Sequence, residues 1–429
     1  MTRIKNSWLY LLKVEKITVM SKHQIKFYPV DNGDTSLIKL SDGTNILVDC
    51  KLREGEETES GSKIFNVKGD LLSELPKRDK NVHLDVFIVT HPDNDHLLGF
   101  KKNFYFGKPE DFGDSNRENE EIIIDELWVT SMVFKDCTNE DAKSLKREAE
   151  RRRKLWQNDS RDKDAAGNRL RLIGYDAEER FQSLPNSIPG ETINKFNGKV
   201  LNNFELFVHA PFKESLIIGT AEKDQNFCSI VMQARFKIKP DDKDVTCRFL
   251  FGGDADHYIW AEVLNKTESH KNSLMLEWDI FLAPHHCSWT FFNNVPYGNP
   301  EENKNPKASA LKILDYKRTD AMIIASSKVI INNDDNPPHF KAKEQYLTKV
   351  KSSKFLNTAE EPNKKEPQPI VFEISNSGIS RIDNGAKAEG FRQIADAIKV
   401  GLVGTASTGR LSGMADNVVK HQPHKFYGE

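Results

Sequence analysis

Over the first fifty residues, apolar and polar positions alternate in short runs: QIKFYPV at 24–30, TSLIKL at 35–40 and TNILVDC at 44–50. The turns DNGD (31–34) and SDG (41–43) separate them, so period-two alternation between Asn/Asp-Gly turns predicts a β-meander. The next strong run, DVFIVT at 85–90, is apolar throughout, as a strand buried on both faces requires. Further strands are expected at 122–131, 204–210, 229–236, 247–254, 278–286, 321–327 and 369–375. Helical spacing marks DHYIWAEVLNK and FKAKEQYLTKVKSS. Strands in two groups with helices between them predict a layered α/β fold. The Glu-rich loop 51–65 is expected to be mobile.

Two segments read as additions. The first, about 101–200, contains TNEDAKSLKREAERRRKLWQ at 138–157, where Thr138 followed by Asp141 suits a helix start. Seven basic and two acidic residues lie from Lys143 to Lys154. Such a run is more often a solvated helix face than a phosphate-handling patch. The second addition, 384–429, has apolar residues at 391, 394, 395, 398 and 402. That helical stripe needs a surface to pack on, either the main domain or a protein partner. With 1–19 as an N-terminal extension before Met20, the expected main domain is 20–383.

Composition narrows the setting. A formal net charge of −2 over 429 residues leaves no global footprint for nucleic acid, so any such surface must be local. Five scattered cysteines without a CxxC pair suggest reduced thiols and a cytoplasmic protein. No window approaches 18 uninterrupted apolar residues, so no membrane helix is expected.

The chemistry concentrates in VFIVTHPDNDHLLGF, where His91, Asp93, Asp95 and His96 follow an apolar strand. In an extended turn His91 and Asp93 point the same way, while Asp95 and His96, entering a helix, swing toward a second centre. Imidazole suits zinc, and carboxylates also accept manganese. Two more strand ends carry similar groups: Asp254 after a Gly-Gly turn in RFLFGGD, and His285 with His286 in WDIFLAPHHCS. A lone His pair is usually a surface or core feature; three strand-end clusters together point to two divalent metal ions, Zn²⁺ or Mn²⁺, held for hydrolysis.

The order THPDNDH, GGD, PHHCS resembles the metallo-β-lactamase superfamily, and more narrowly the soluble hydrolase domain of ComEC-type competence proteins. Asn32, Gly33, Asp34 and Asp49 resemble that branch's opening turn, and Asn226 with Ser229 its Asn-x-x-Ser strand. The resemblance spans about 21–383 and implies a four-layer αβ/βα sandwich, here with a charged insertion and a C-terminal helical extension. It implies that His91 and Asp93 serve one metal, Asp95 and His96 the other, and that Asp254 bridges them. His285 or His286 completes the second site, the remaining one lying near the scissile phosphate, and His339 touches substrate. Departures are Cys50 and Cys287 where glycine is usual, and the lack of a hydrophobic channel. His209 is the sole histidine near the point where most of the superfamily has a further ligand; a satisfied near-core role suits it better.

The expected activity is phosphodiester hydrolysis, by a nuclease or nucleotide phosphodiesterase. A metal-bridged hydroxide would be the nucleophile, Asp95 would orient it, and the spare histidine would stabilise the leaving group. Two alternatives keep the sequence but change the role. One is a dinuclear esterase, lactonase or phosphocholine esterase; the other is a partner-binding regulatory protein with a vestigial site.

Overall fold

The computed structural model describes residues 22–382, except 136, 138, 176–180, 182, 223–224 and 299–304. The expected extensions 1–19 and 384–429, and Thr138, therefore lie outside the described residues. The chain is mixed α/β, with two large sheets and helices.

The meander forms as expected. Strands His23–Phe27, Ser36–Lys39 and Asn45–Val48 pair antiparallel in sequence order. Asn45–Val48 then pairs parallel with Asn81–Ile88, followed in parallel by Ile123–Val129 and Arg169–Ile173. Ile370–Ser375 and Gly378–Ile382 extend the other edge of this first sheet. In the second sheet Phe204–Ala210, Val231–Phe236 and Cys247–Phe251 run antiparallel. Cys247–Phe251 then continues in parallel through Trp278–Leu282, Lys317–Ala325 and Phe355–Asn357.

Alternation along each strand sorts side chains into separate cores. Ile46, Val48, Val86 and Ile88 of the first sheet meet Phe249, Phe251, Ile280 and Leu282 of the second in one apolar layer. Leu47, Phe87 and Val89 point away from it, toward Val67 and Leu71 of helix Val67–Glu74 and Leu145 and Ala149 of helix Glu140–Gln157. Leu250 and Phe281 point out of the second sheet toward Trp260 and Val263 of helix His257–Ser269 and Ile313 of helix Ala308–Asp315. Each sheet is thus apolar on both faces at its centre, which is why central parallel strands such as Asn81–Ile88 read as continuous hydrophobic runs.

Three expectations change. The segment 101–200 is woven into the first sheet through Ile123–Val129 and Arg169–Ile173. The strand RLRLI escaped the sequence reading because its alternate positions are arginines. The loop 51–65 is tied down: Ile64 N–H donates to Glu56 O at 2.8 Å, and Lys63 N–H to Lys365 O at 2.8 Å. The basic helix starts at Glu140 with Asn139 capping Ala142 N–H at 2.7 Å. Its charges are largely internal. Arg151 and the buried Arg152 pair with Glu148, Arg153 pairs with Glu150, and Arg152 also donates to the carbonyls of Ile124 and Arg169. Arg152 is therefore a buried brace between helix and sheet, and neither a solvated face nor a phosphate patch describes it.

Candidate metal centre

Parallel strands of one sheet end at the same edge, and loops there bring distant residues together. Asp49 follows Asn45–Val48, and His91 to His96 follow Asn81–Ile88 in the first sheet. Asp254 follows Cys247–Phe251, and His285 and His286 follow Trp278–Leu282 in the second. The two edges meet: His96 Nε2 lies 2.9 Å from Asp254 Oδ1.

Asp254 divides the cluster. Its Oδ2 is 3.7 Å from His91 Nε2 and 3.4 Å from His285 Nε2, and Asp93 Oδ2 is 3.7 Å from His91 Nε2. Its Oδ1 faces His96 Nε2 and, at 3.4 Å, His286 Nε2, which is 3.2 Å from Asp95 Oδ2. Ligand atoms of His91, Asp95, His96 and Asp254 all lie within 4.8 Å of one another, as do those of Asp34, His96 and His286. These buried His/Asp clusters can hold a metal ion.

Every imidazole is anchored from behind. His96 Nδ1 is 2.8 Å from Asp49 Oδ2; Asp49 itself accepts Thr90 N–H at 2.7 Å and the Thr90 hydroxyl at 2.6 Å. His286 Nδ1 is 3.1 Å from Ser326 O, His285 Nδ1 is 3.2 Å from Thr290 Oγ1, and His91 Nδ1 is 3.1 Å from Thr90 Oγ1. With Nδ1 engaged, each ring presents Nε2 to the Asp254 carboxylate, the arrangement that fixes a metal-binding tautomer.

Backbone geometry enforces the approach. Gly253 has φ +49°, and a Cβ there would fall 2.5 Å from Thr90 Oγ1, so only glycine lets the Asp254 loop press against the His91 loop. His285, His286 and Cys287 sit consecutively in the left-handed region, at φ 49°, 53° and 67°. L-residues resist that conformation by roughly 1–2 kcal/mol each. Hydrogen bonds compensate: His285 N–H donates to Gly253 O, His339 N–H donates to Cys287 O (both 3.0 Å), and Asn336 Oδ1 accepts the Ser288 hydroxyl at 2.7 Å.

The electrostatics follow from burial set against opposite charge. Burial opposes charge on Asp254, yet His96, His286 and His285 hold its pKa well below the carboxylate range. Burial likewise opposes charge on His286, but Asp254, Asp34 and Asp95 hold it up at about 9. His91 is driven by burial, and then by His96, down to about 3. Its Nε2 is buried without a hydrogen-bond partner among the described residues, as is Asp34 Oδ1.

His91, Asp93, Asp95, His96, Asp254, His285 and His286 therefore converge. His286 stands on the His96 side and His285 on the His91 side, a choice the sequence left open. His339 belongs to neither cluster. Its Nδ1 accepts Lys341 N–H at 3.2 Å as the cap of helix Phe340–Leu347, and its ring packs on Tyr297 at 4.9 Å. His209 lies elsewhere, with Nε2 2.8 Å from Met275 O. Cys287 is buried in the apolar layer outside the second sheet and Cys50 in that outside the first. The anchoring roles of Asp49 and Thr90 were not read from sequence; a carboxylate ending the apolar run TNILVD was the available signal. No family model and no curated protein matches the chain.

Proposed function

We propose that the chain is a dinuclear metal-dependent hydrolase of the metallo-β-lactamase type, acting on phosphodiesters as a nuclease or nucleotide phosphodiesterase. One observation carries the reading: a buried carboxylate, Asp254, stands between two sets of imidazoles that all turn Nε2 toward it. The layering of two sheets with helices outside each supports the four-layer sandwich of that superfamily.

The residues fit Zn²⁺ or Mn²⁺. The donor set is imidazole nitrogen and carboxylate oxygen, and the buried Nε2 of His91 has no hydrogen-bond partner among the described residues. His91 and Asp93 would hold one ion, Asp95, His96 and His286 the other, with Asp254 shared, which leaves His285 free of either ion. Such ions supply Lewis acidity toward a phosphoryl oxygen and make water acidic near neutral pH.

The chain's own groups do the rest. Asp95, whose side chain is 34% exposed, stands on the open side, where it orients the attacking water. Asp49 and Thr90 keep His96 in place. His285, partly open to solvent, lies where a departing oxygen needs a donor. The test compares wild type with Asp254→Ala for metal content and for hydrolysis of single-stranded DNA, RNA and bis-p-nitrophenyl phosphate with Mn²⁺ or Zn²⁺. Wild type is expected to bind metal and hydrolyse at least one, and the variant to do neither; equal rates in both would refute the proposal.

A further inference from the structure

Lys51 follows the strand end that supplies Asp49, and its chain neighbour Cys50 donates N–H to His96 O at 2.9 Å. Its aliphatic stem runs across Gly33. A Cβ on Gly33 would fall 2.3 Å from Lys51 Cδ, 3.3 Å from its Nζ and 2.6 Å from Asp95 O. The missing side chain at Gly33 is thus what lets the lysine lie against the Asp95 loop. Among the described residues its ammonium donates to a single backbone acceptor, Asn32 O, and has no carboxylate within ion-pair distance. The other cations on the flanking loops are engaged: Arg53 with Asp31, and Lys328 with Asp335 at 2.8 Å.

A half-buried ammonium with two N–H groups unassigned among the described residues, lying against the Asp95 loop, is stabilised when an anion answers it. Burial lowers the pKa of Lys51, while the nearby Asp95, Asp31 and Asp34 raise it. Of these, Asp95 and Asp34 belong to the centre, and cations bound there would neutralise their charge, leaving the ammonium open to an anionic ligand.

Resting on the hydrolase reading above, we propose that Lys51 is the anion-recognition residue of this site. It donates to a non-bridging phosphoryl oxygen and so selects phosphate esters over neutral carboxylic esters. A charge-assisted hydrogen bond of this kind is worth about 10- to 100-fold in affinity.

The test uses the full chain loaded with Mn²⁺, as wild type, Lys51→Met and Lys51→Arg. Calorimetry with inorganic phosphate is expected to show a Kd weakened about tenfold or more in Lys51→Met and partly restored in Lys51→Arg. The ratio of kcat/KM for bis-p-nitrophenyl phosphate to that for p-nitrophenyl acetate is expected to fall by a similar factor in Lys51→Met. Phosphate binding that is absent in wild type or equal in Lys51→Met overturns the assignment, as does equal loss on both esters, which marks a purely structural lysine. A wild type that binds phosphate through Lys51 yet hydrolyses neither ester sinks the hydrolase reading and leaves the anion site standing.

Discussion

The strand Asn81–Ile88 carries an acid–histidine cluster at each end, and the two are built differently. At its start Asp85 and Asp125 face Arg78, His83 and Asn197. Every carboxylate oxygen there has a donor: Asp85 Oδ2 takes Asn45 N–H at 2.9 Å, and Asp125 Oδ1 lies 2.8 Å from His83 Nδ1. At its far end Asp34, Asp49, Asp95 and Asp254 form ion pairs with histidines alone among the described residues. There His91 Nε2 and Asp34 Oδ1 have no hydrogen-bond partner among the described residues. The same residue types thus make a closed structural network when a guanidinium completes them. They make a cluster that can hold a metal ion when only titratable rings do.

Metal addition separates the two ends most strongly. Zn²⁺ or Mn²⁺ at roughly a thousand times its Kd is expected to stabilise wild type by about 4 kcal/mol per site and Asp254→Ala hardly at all. Thermal melts with and without metal check this, and a wild type whose Tm ignores both ions would erase the contrast.

A buried imidazole away from both ends sharpens it. His209 faces the carbonyl of Met275 and pairs with no acid among the described residues, and burial, against that hydrogen bond, lowers its pKa to about 4. The native state therefore needs the neutral ring. The unfolded chain takes up the proton first as pH falls below about 6.5, so stability present above that pH is lost between about 6.5 and 4, by about 3 kcal/mol. Denaturant melts of the metal-free chain across that range are expected to show this slope in wild type and a shallower one in His209→Gln. Identical slopes would mean the ring protonates freely in the fold.

At the closed end, Asp125→Ala is expected to cost about 2–3 kcal/mol of unfolding free energy, reduced from the fully buried case because Arg78 keeps access to water. Its metal content should match wild type; loss of metal would show that the two ends are coupled. The smallest effect is expected from Asp49→Asn, which keeps the shape behind His96 but removes the charge. Metal affinity should fall about 10- to 100-fold, measured by competition with a chelating dye, and unchanged affinity would make Asp49 a packing residue only.

Much of this was legible in the residues. The apolar runs named most strands of both sheets, because a strand buried on two faces has little freedom in composition. The triplet of strand-end clusters named seven ligand candidates, and Asp34, whose carboxylate lies with His96 and His286, was not among them. What escaped was set by contacts distant in sequence. Arg169–Ile173 became a strand because Ile123–Val129 offered it an edge. Arg152 was drawn inside by carbonyls 17 and 28 residues away. Neither signal exists locally.

By itself the sequence determined which side chains end the buried strands, since period and polarity are local properties of a chain. Only the tertiary structure decided that His285 joins His91 while His286 joins His96, that His339 caps a helix, and that Lys51 lies against Asp95. Those outcomes depend on how two sheet edges meet and on three consecutive left-handed residues held by bonds from other loops. No run of neighbouring residues encodes a distance across that gap.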